Sequence, residues 1–139
     1  MHPILRNILA FLAGLVGGGL VNMALIYAGG ALLPPPAGVD VNDITSINAH
    51  IGEYSAIQLM VPFLAHALGT LVGAFLVARF AASRQLVLAL IIGVLNLIGG
   101  ITAVMMIPNS PLWFNVLDLG VAYLPMAWLG HKLARPKAL

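Results

Sequence analysis

His66 stands in PFLAHALGT, residues 62–70, and Asp118 in NVLDLGV, residues 115–121; both runs are otherwise apolar or small apart from Thr70 and Asn115. Imidazole and carboxyl groups are the side chains that most readily exchange protons, histidine because its ordinary pKa lies near pH 7. If the fold brings the two together, three roles are open: a polar lock inside a helix bundle, a protonatable step in a solute or ion pathway, or acid–base catalysis on a lipid-like or quinone-like substrate. No nucleophile elbow, P-loop or H-E-x-x-H zinc helix accompanies them. Cysteine is absent, which excludes disulfides, thiolate metal sites and a cysteine nucleophile. No metal and no cofactor is expected.

The elements that must carry these residues follow from composition. Of 139 residues only 7% are charged and 61% are hydrophobic, with a mean hydropathy of +1.05. Ordinary globular chains are roughly 25% charged. So small a domain cannot hide that much apolar surface from water, so the chain is expected to be an integral, multi-pass membrane protein. No Lys/Arg-rich run of the kind that binds nucleic acid is present, and membrane lipids are the expected surroundings.

Four apolar stretches reach the roughly 20 residues needed to cross a bilayer. They cover about residues 4–33, 57–80, 86–107 and 112–130, which predicts one all-α domain of four transmembrane helices over residues 1–139, with an outer loop at 34–56. Pro34-Pro35-Pro36 stops the first helix, because three successive residues lack an amide donor. Pro108 and Pro111 bracket the turn between the third and fourth. All six basic residues (Arg6, Arg79, Arg84, Lys132, Arg135, Lys137) fall at the N-terminus, the second turn or the C-terminal tail, which four crossings place on one side. Asp40, Asp43 and Glu53 lie on the other. The positive-inside bias then predicts that both termini are cytoplasmic. The stretch after Arg6 is too long for a usual signal-peptide core and lacks a clear cleavage site, so it reads as a retained span.

In NDITSINAHIGEYS, Ile44, Ile47, Ile51 and Tyr54 recur at helical spacing behind Asp43, a capping residue. This predicts a short interfacial helix lying in the outer headgroup region. Asp40, Asp43, His50 and Glu53 have the atom types of cation ligands, but a solvated polar face is the expected reading.

Small residues mark where helices meet. Gly14 and Gly18 form one pair; Ala65, Gly69 and Gly73 form a stripe on the second span. Such residues let backbones approach closely in lipid, within one bundle or between copies, and self-association is expected. His66 shares the stripe's face, about 14 Å deep at 1.5 Å per residue, and Asp118 lies about 10 Å below Pro111 by the same rise. A carboxyl group at such depth is costly unless neutral, paired or wet, so a mutual hydrogen bond is expected, joined by Asn22 or Asn96. The segments around Gly19–Asn22 and Gly93–Asn96 resemble each other, each followed by a proline at the same distance. Read as a repeat of two hairpins, they place Asn22 and Asn96 at equal depth. Trp113 and Trp128 read as interfacial anchors at the two ends of the fourth span.

PPPAGVD, PFLAHALGTLVGAF and PLWFNVLDLGVAYLPMAWLG together resemble a family of small bacterial four-helix membrane proteins. The resemblance covers almost the whole chain. It implies the fold and a place in the bacterial cytoplasmic membrane, and assigns no role to any residue. The expected function is binding or passage of a small solute or ion at a mid-membrane polar site of His66, Asp118, Asn22 and Asn96. The alternatives are an accessory or scaffold subunit of a larger membrane complex and, third, a membrane enzyme.

Overall fold

The protein is described by a computed structural model covering residues 2–134. Its elements are α1 (Pro3–Leu32), α2 (Ile44–His50) with a 3₁₀ turn at Ile51–Glu53, α3 (Ala56–Phe80), α4 (Gln85–Met106), α5 (Leu112–Val121) and α6 (Leu124–Ala134), with no strand among the described residues. Four segments are long and apolar enough to cross a membrane: α1, α3, α4, and α5 with α6 taken together. Of the basic residues that set the expected orientation, Arg135 and Lys137 lie outside the described residues.

Local chemistry sets the boundaries. Pro3 opens α1, where a missing amide donor costs nothing, and the His2 side chain accepts from the Ile4 amide. Ser55 and Gln58 form a capping box at the start of α3. Pro62 lies inside α3 without ending it.

The fourth span departs from the expected single helix at 112–130. It is two helices, parted at Ala122–Tyr123 and reaching Ala134. Pro125 is the physical cause. It has no amide hydrogen for the Val121 carbonyl four residues back, and its ring crowds that turn. Val121 is the last residue of α5.

Large apolar side chains point outward, among them Leu20 at 67% exposure and Val116 at 65%, while the core is built of small ones. α1, α4 and α6 all pack on α3, whereas α1 scarcely touches α4. The α1–α3 contact is glycine against glycine. A Cβ at Gly18 would stand 2.6 Å from the Gly69 carbonyl oxygen, and one at Gly69 would stand 2.9 Å from that of Gly18. Gly14 and Gly73 make the same reciprocal approach, at 2.7 and 2.9 Å. These glycines are therefore used inside the chain. Ala65 is wholly buried on the same helix. On its other side α3 meets α6 through Gly130, where a Cβ would strike the Leu71 carbonyl, and through a cluster of Ala74, Ala78, Ala89, Ala127 and Ala134. Where lipid surrounds a bundle, such close backbone contact replaces the hydrophobic drive that water would supply.

Polar ties close both ends. Near the termini, Asn7 Oδ1 accepts from the amides of Ala82 and Ser83, at 2.8 and 3.2 Å, and Arg6 Nε donates to the Phe80 carbonyl at 2.8 Å. At the loop end, Gln58 Nε2 donates to the Pro34 carbonyl at 2.6 Å, and the Asn109 amide donates to Asn48 Oδ1 at 3.0 Å. Asp43 caps α2 through the Thr45 amide, and Asp40 accepts from the Asn42 amide. His50 Nδ1 is 2.8 Å from the Ser46 carbonyl oxygen. No cluster of three metal-ligating side chains occurs among the described residues.

Candidate functional site

His66 of α3 and Asp118 of α5 meet. His66 Nδ1 is 2.9 Å from Asp118 Oδ1, with side-chain exposures of 28% for the histidine and 5% for the aspartate. Tyr123 completes the group: its hydroxyl donates to Asp118 Oδ2 at 2.8 Å and lies 3.1 Å from His66 Nδ1. The two rings stack with centroids 5.8 Å apart. Both carboxyl oxygens thus have a hydrogen-bond partner, which is what makes so buried an acid tolerable. With Asp118 ionised, Nδ1–H donates to it, and the tautomer is fixed with Nε2 as the open acceptor.

Tyr123 takes the place expected of an asparagine. It was hidden in the sequence because it is five residues from Asp118, and on a continuous helix that spacing turns the two side chains about 140° apart. The break at Ala122–Tyr123 brings the phenol back over the carboxyl group. The signal in the sequence was Pro125, two residues further on.

Asn22 and Asn96 are not bonded to the pair. Asn96 Nδ2 donates to Thr70 Oγ1 at 2.9 Å. Asn22 rests against Gly69, and its Oδ1 is buried without a hydrogen-bond partner among the described residues. Both asparagines nevertheless line one cavity with His66, Thr70 and Tyr123, about 270 Å³ in volume. Its walls are α1 and α4, and α3 is its floor. Asn22, His66 and Asn96 each lie ten residues from the loop end of their helix, about 15 Å at 1.5 Å per residue. Three polar side chains from three helices therefore share one level, halfway along the bundle. His66 Nε2 has no partner among the described residues and is not sealed from the surface, unlike the buried Asp118 behind it.

The arrangement is an imidazole backed by a carboxylate, in the lining of a space large enough for a small molecule. A proton taken up at Nε2 turns the pair into imidazolium and carboxylate, whose charges cancel at 2.9 Å; a lone charge at that depth would be expensive. No protein-family model, curated protein or solved structure matches this chain.

Proposed function

We propose that this is a multi-pass protein of the bacterial cytoplasmic membrane, with both termini in the cytoplasm, that binds a molecule by a small polar group halfway across the bilayer and exchanges a proton with it at His66 Nε2. The observation that carries this reading is the division of labour on one imidazole. Nδ1 is held by Asp118 and Tyr123, which leaves Nε2 as the ring's open nitrogen, and His66 lines a cavity that Asn22 and Asn96 also line. A purely structural lock has no use for an unfilled space beside the histidine, since a packed side chain there would add stability. The placement of basic residues at the terminal end supports the orientation.

The test compares wild type with His66→Leu, purified in parallel in mild detergent and extracted for small-molecule mass spectrometry. Wild type should carry a molecule that the variant has lost by at least tenfold, with helical content and elution volume unchanged. Identical extracts would remove the binding role and leave the scaffold reading, for which stable co-purification of a larger membrane complex would speak.

A further inference from the structure

We infer that the ligand of this cavity is an uncharged amphiphile, with a hydroxyl- or carbonyl-bearing head and one apolar tail, that enters from the bilayer between α1 and α4. The inference rests on the binding role proposed above and adds the class of molecule and its route.

Four observations lead to it. First, α1 and α4 both pack on α3 and scarcely on each other, so the cavity between them is not closed by helix–helix contact. Second, its two rims are glycines with room to spare. Gly19 on α1 and Gly99 on α4 both line it, both are exposed, and a Cβ built on either meets nothing within 4 Å. Third, the surface outside the rims is that of a lipid-facing helix pair, with Val16 and Leu20 on one side and Ile98 on the other, all exposed. A molecule leaving through this gap passes into hydrocarbon. Fourth, the loop end is crossed by polypeptide: the Asn48–Asn109 and Gln58–Pro34 bonds fasten the loop that carries α2 across the bundle.

Depth and charge then select the head. Asn22, His66 and Asn96 lie about 15 Å from the helix ends, where a phosphate or ammonium group would have to be drawn into the middle of the hydrocarbon. A hydroxyl or carbonyl group is tolerated there when it is hydrogen-bonded. The lining offers both kinds of partner, the asparagine amides and His66 Nε2, with no Lys or Arg among the residues around the cavity. The space of about 270 Å³ holds a compact head, and a long tail has no room in it except by running out between the helices.

The test uses long-chain and short-chain primary alcohols carrying the same diazirine beside the hydroxyl, photolysed with the reconstituted protein and mapped by peptide mass spectrometry. The long-chain probe should label cavity-lining residues such as Leu15, Leu95 and Gly99 at least tenfold above the outward residues Leu5 and Val87. Gly99→Trp and Gly19→Trp, which fill the rims at exposed positions, should abolish that enrichment without changing elution volume. His66→Leu should reduce it severalfold. If the short-chain probe labels the cavity as well as the long one and the rim tryptophans have no effect, the lateral route and the tail are wrong while a polar binding site at His66 stands. If neither probe favours the cavity over the outward residues, the amphiphile is excluded. If, in addition, the extracts of wild type and His66→Leu are the same, the binding role falls with it.

Discussion

At the scale of single residues, a buried carboxyl group needs donors, and Asp118 finds two of them in different places, His66 on α3 and Tyr123 in the break between α5 and α6. Removing His66 or Asp118 leaves the other with an unmet polar need inside an apolar span. His66→Ala and Asp118→Ala should each destabilise the protein. The double variant should cost less than the sum by about 0.5–3 kcal/mol, the coupling typical of residues in contact. Thermal melts of the four proteins measure it, and simple additivity would sink the pairing. Asp118→Asn separates structure from chemistry. The amide keeps the size and much of the hydrogen bonding but cannot balance an imidazolium. The variant should fold with nearly native elution and melting, and lose the molecule that wild type carries into the mass spectrometer. Retention of that molecule at the wild-type level would show that the charge of Asp118 is not needed for binding.

Among the elements, α3 is the spine and small residues are its contact chemistry. Gly18 and Gly69 face each other so closely that any side chain must enter the opposing carbonyl. Gly69→Leu or Gly18→Leu forces α1 off α3, and overpacked interfaces typically lose about 1–3 kcal/mol. Melting in detergent should fall accordingly, whereas Gly30→Leu, at a position with nothing within 4 Å of an added Cβ, should change little. Equal melting of the two kinds of variant would contradict the close contact. The break between α5 and α6 is the second device at this scale, because it sets where Tyr123 points. Pro125→Ala returns an amide donor to the Val121 carbonyl and favours a continuous helix, which swings the phenol off the carboxylate. Tyr123→Phe should therefore be costly in the native background, about 1.5–3 kcal/mol for a hydrogen bond to a charged group, and nearly neutral in the Pro125→Ala background. The same cost in both backgrounds would mean that the break does not set the contact.

The whole molecule is arranged inside out relative to a water-soluble bundle. Among the described residues the largest fully buried side chains are Ile92, Val77 and Thr70, and leucines and valines cover the outside. That arrangement is stable in hydrocarbon, where apolar surface needs no hiding and close backbone packing is what holds helices together. Its orientation is a property of charge. A reporter fused after Leu139 should be active in the cytoplasm. A tag inserted at Gly38, a loop glycine at φ 85° with open space around it, should be reachable from outside intact cells. A Leu139 fusion found outside would overturn the proposed topology.

Composition and prolines alone determined that the chain is helical and that four helices are long and apolar enough to cross a membrane. Those properties are local: a run of apolar residues either reaches spanning length or does not, and Pro34 to Pro36 stop a helix wherever it is. The sequence also marked His66 and Asp118 as costly residues in apolar runs, because their chemistry conflicts with their neighbours. What meets what was decided only in three dimensions. Fifty-two residues separate His66 from Asp118, and nothing in that span states their distance. Asn96 turned to Thr70 instead of the pair, since a short amide bonds the nearest hydroxyl across the helix contact. Tyr123 joined because a missing proline amide parted a helix that hydropathy reads as continuous. The cavity itself is a negative space left where α1 and α4 lean on the same helix and scarcely touch each other. No residue encodes such a gap, because it depends on how far apart the glycines of one contact and the alanines of another let three backbones stand.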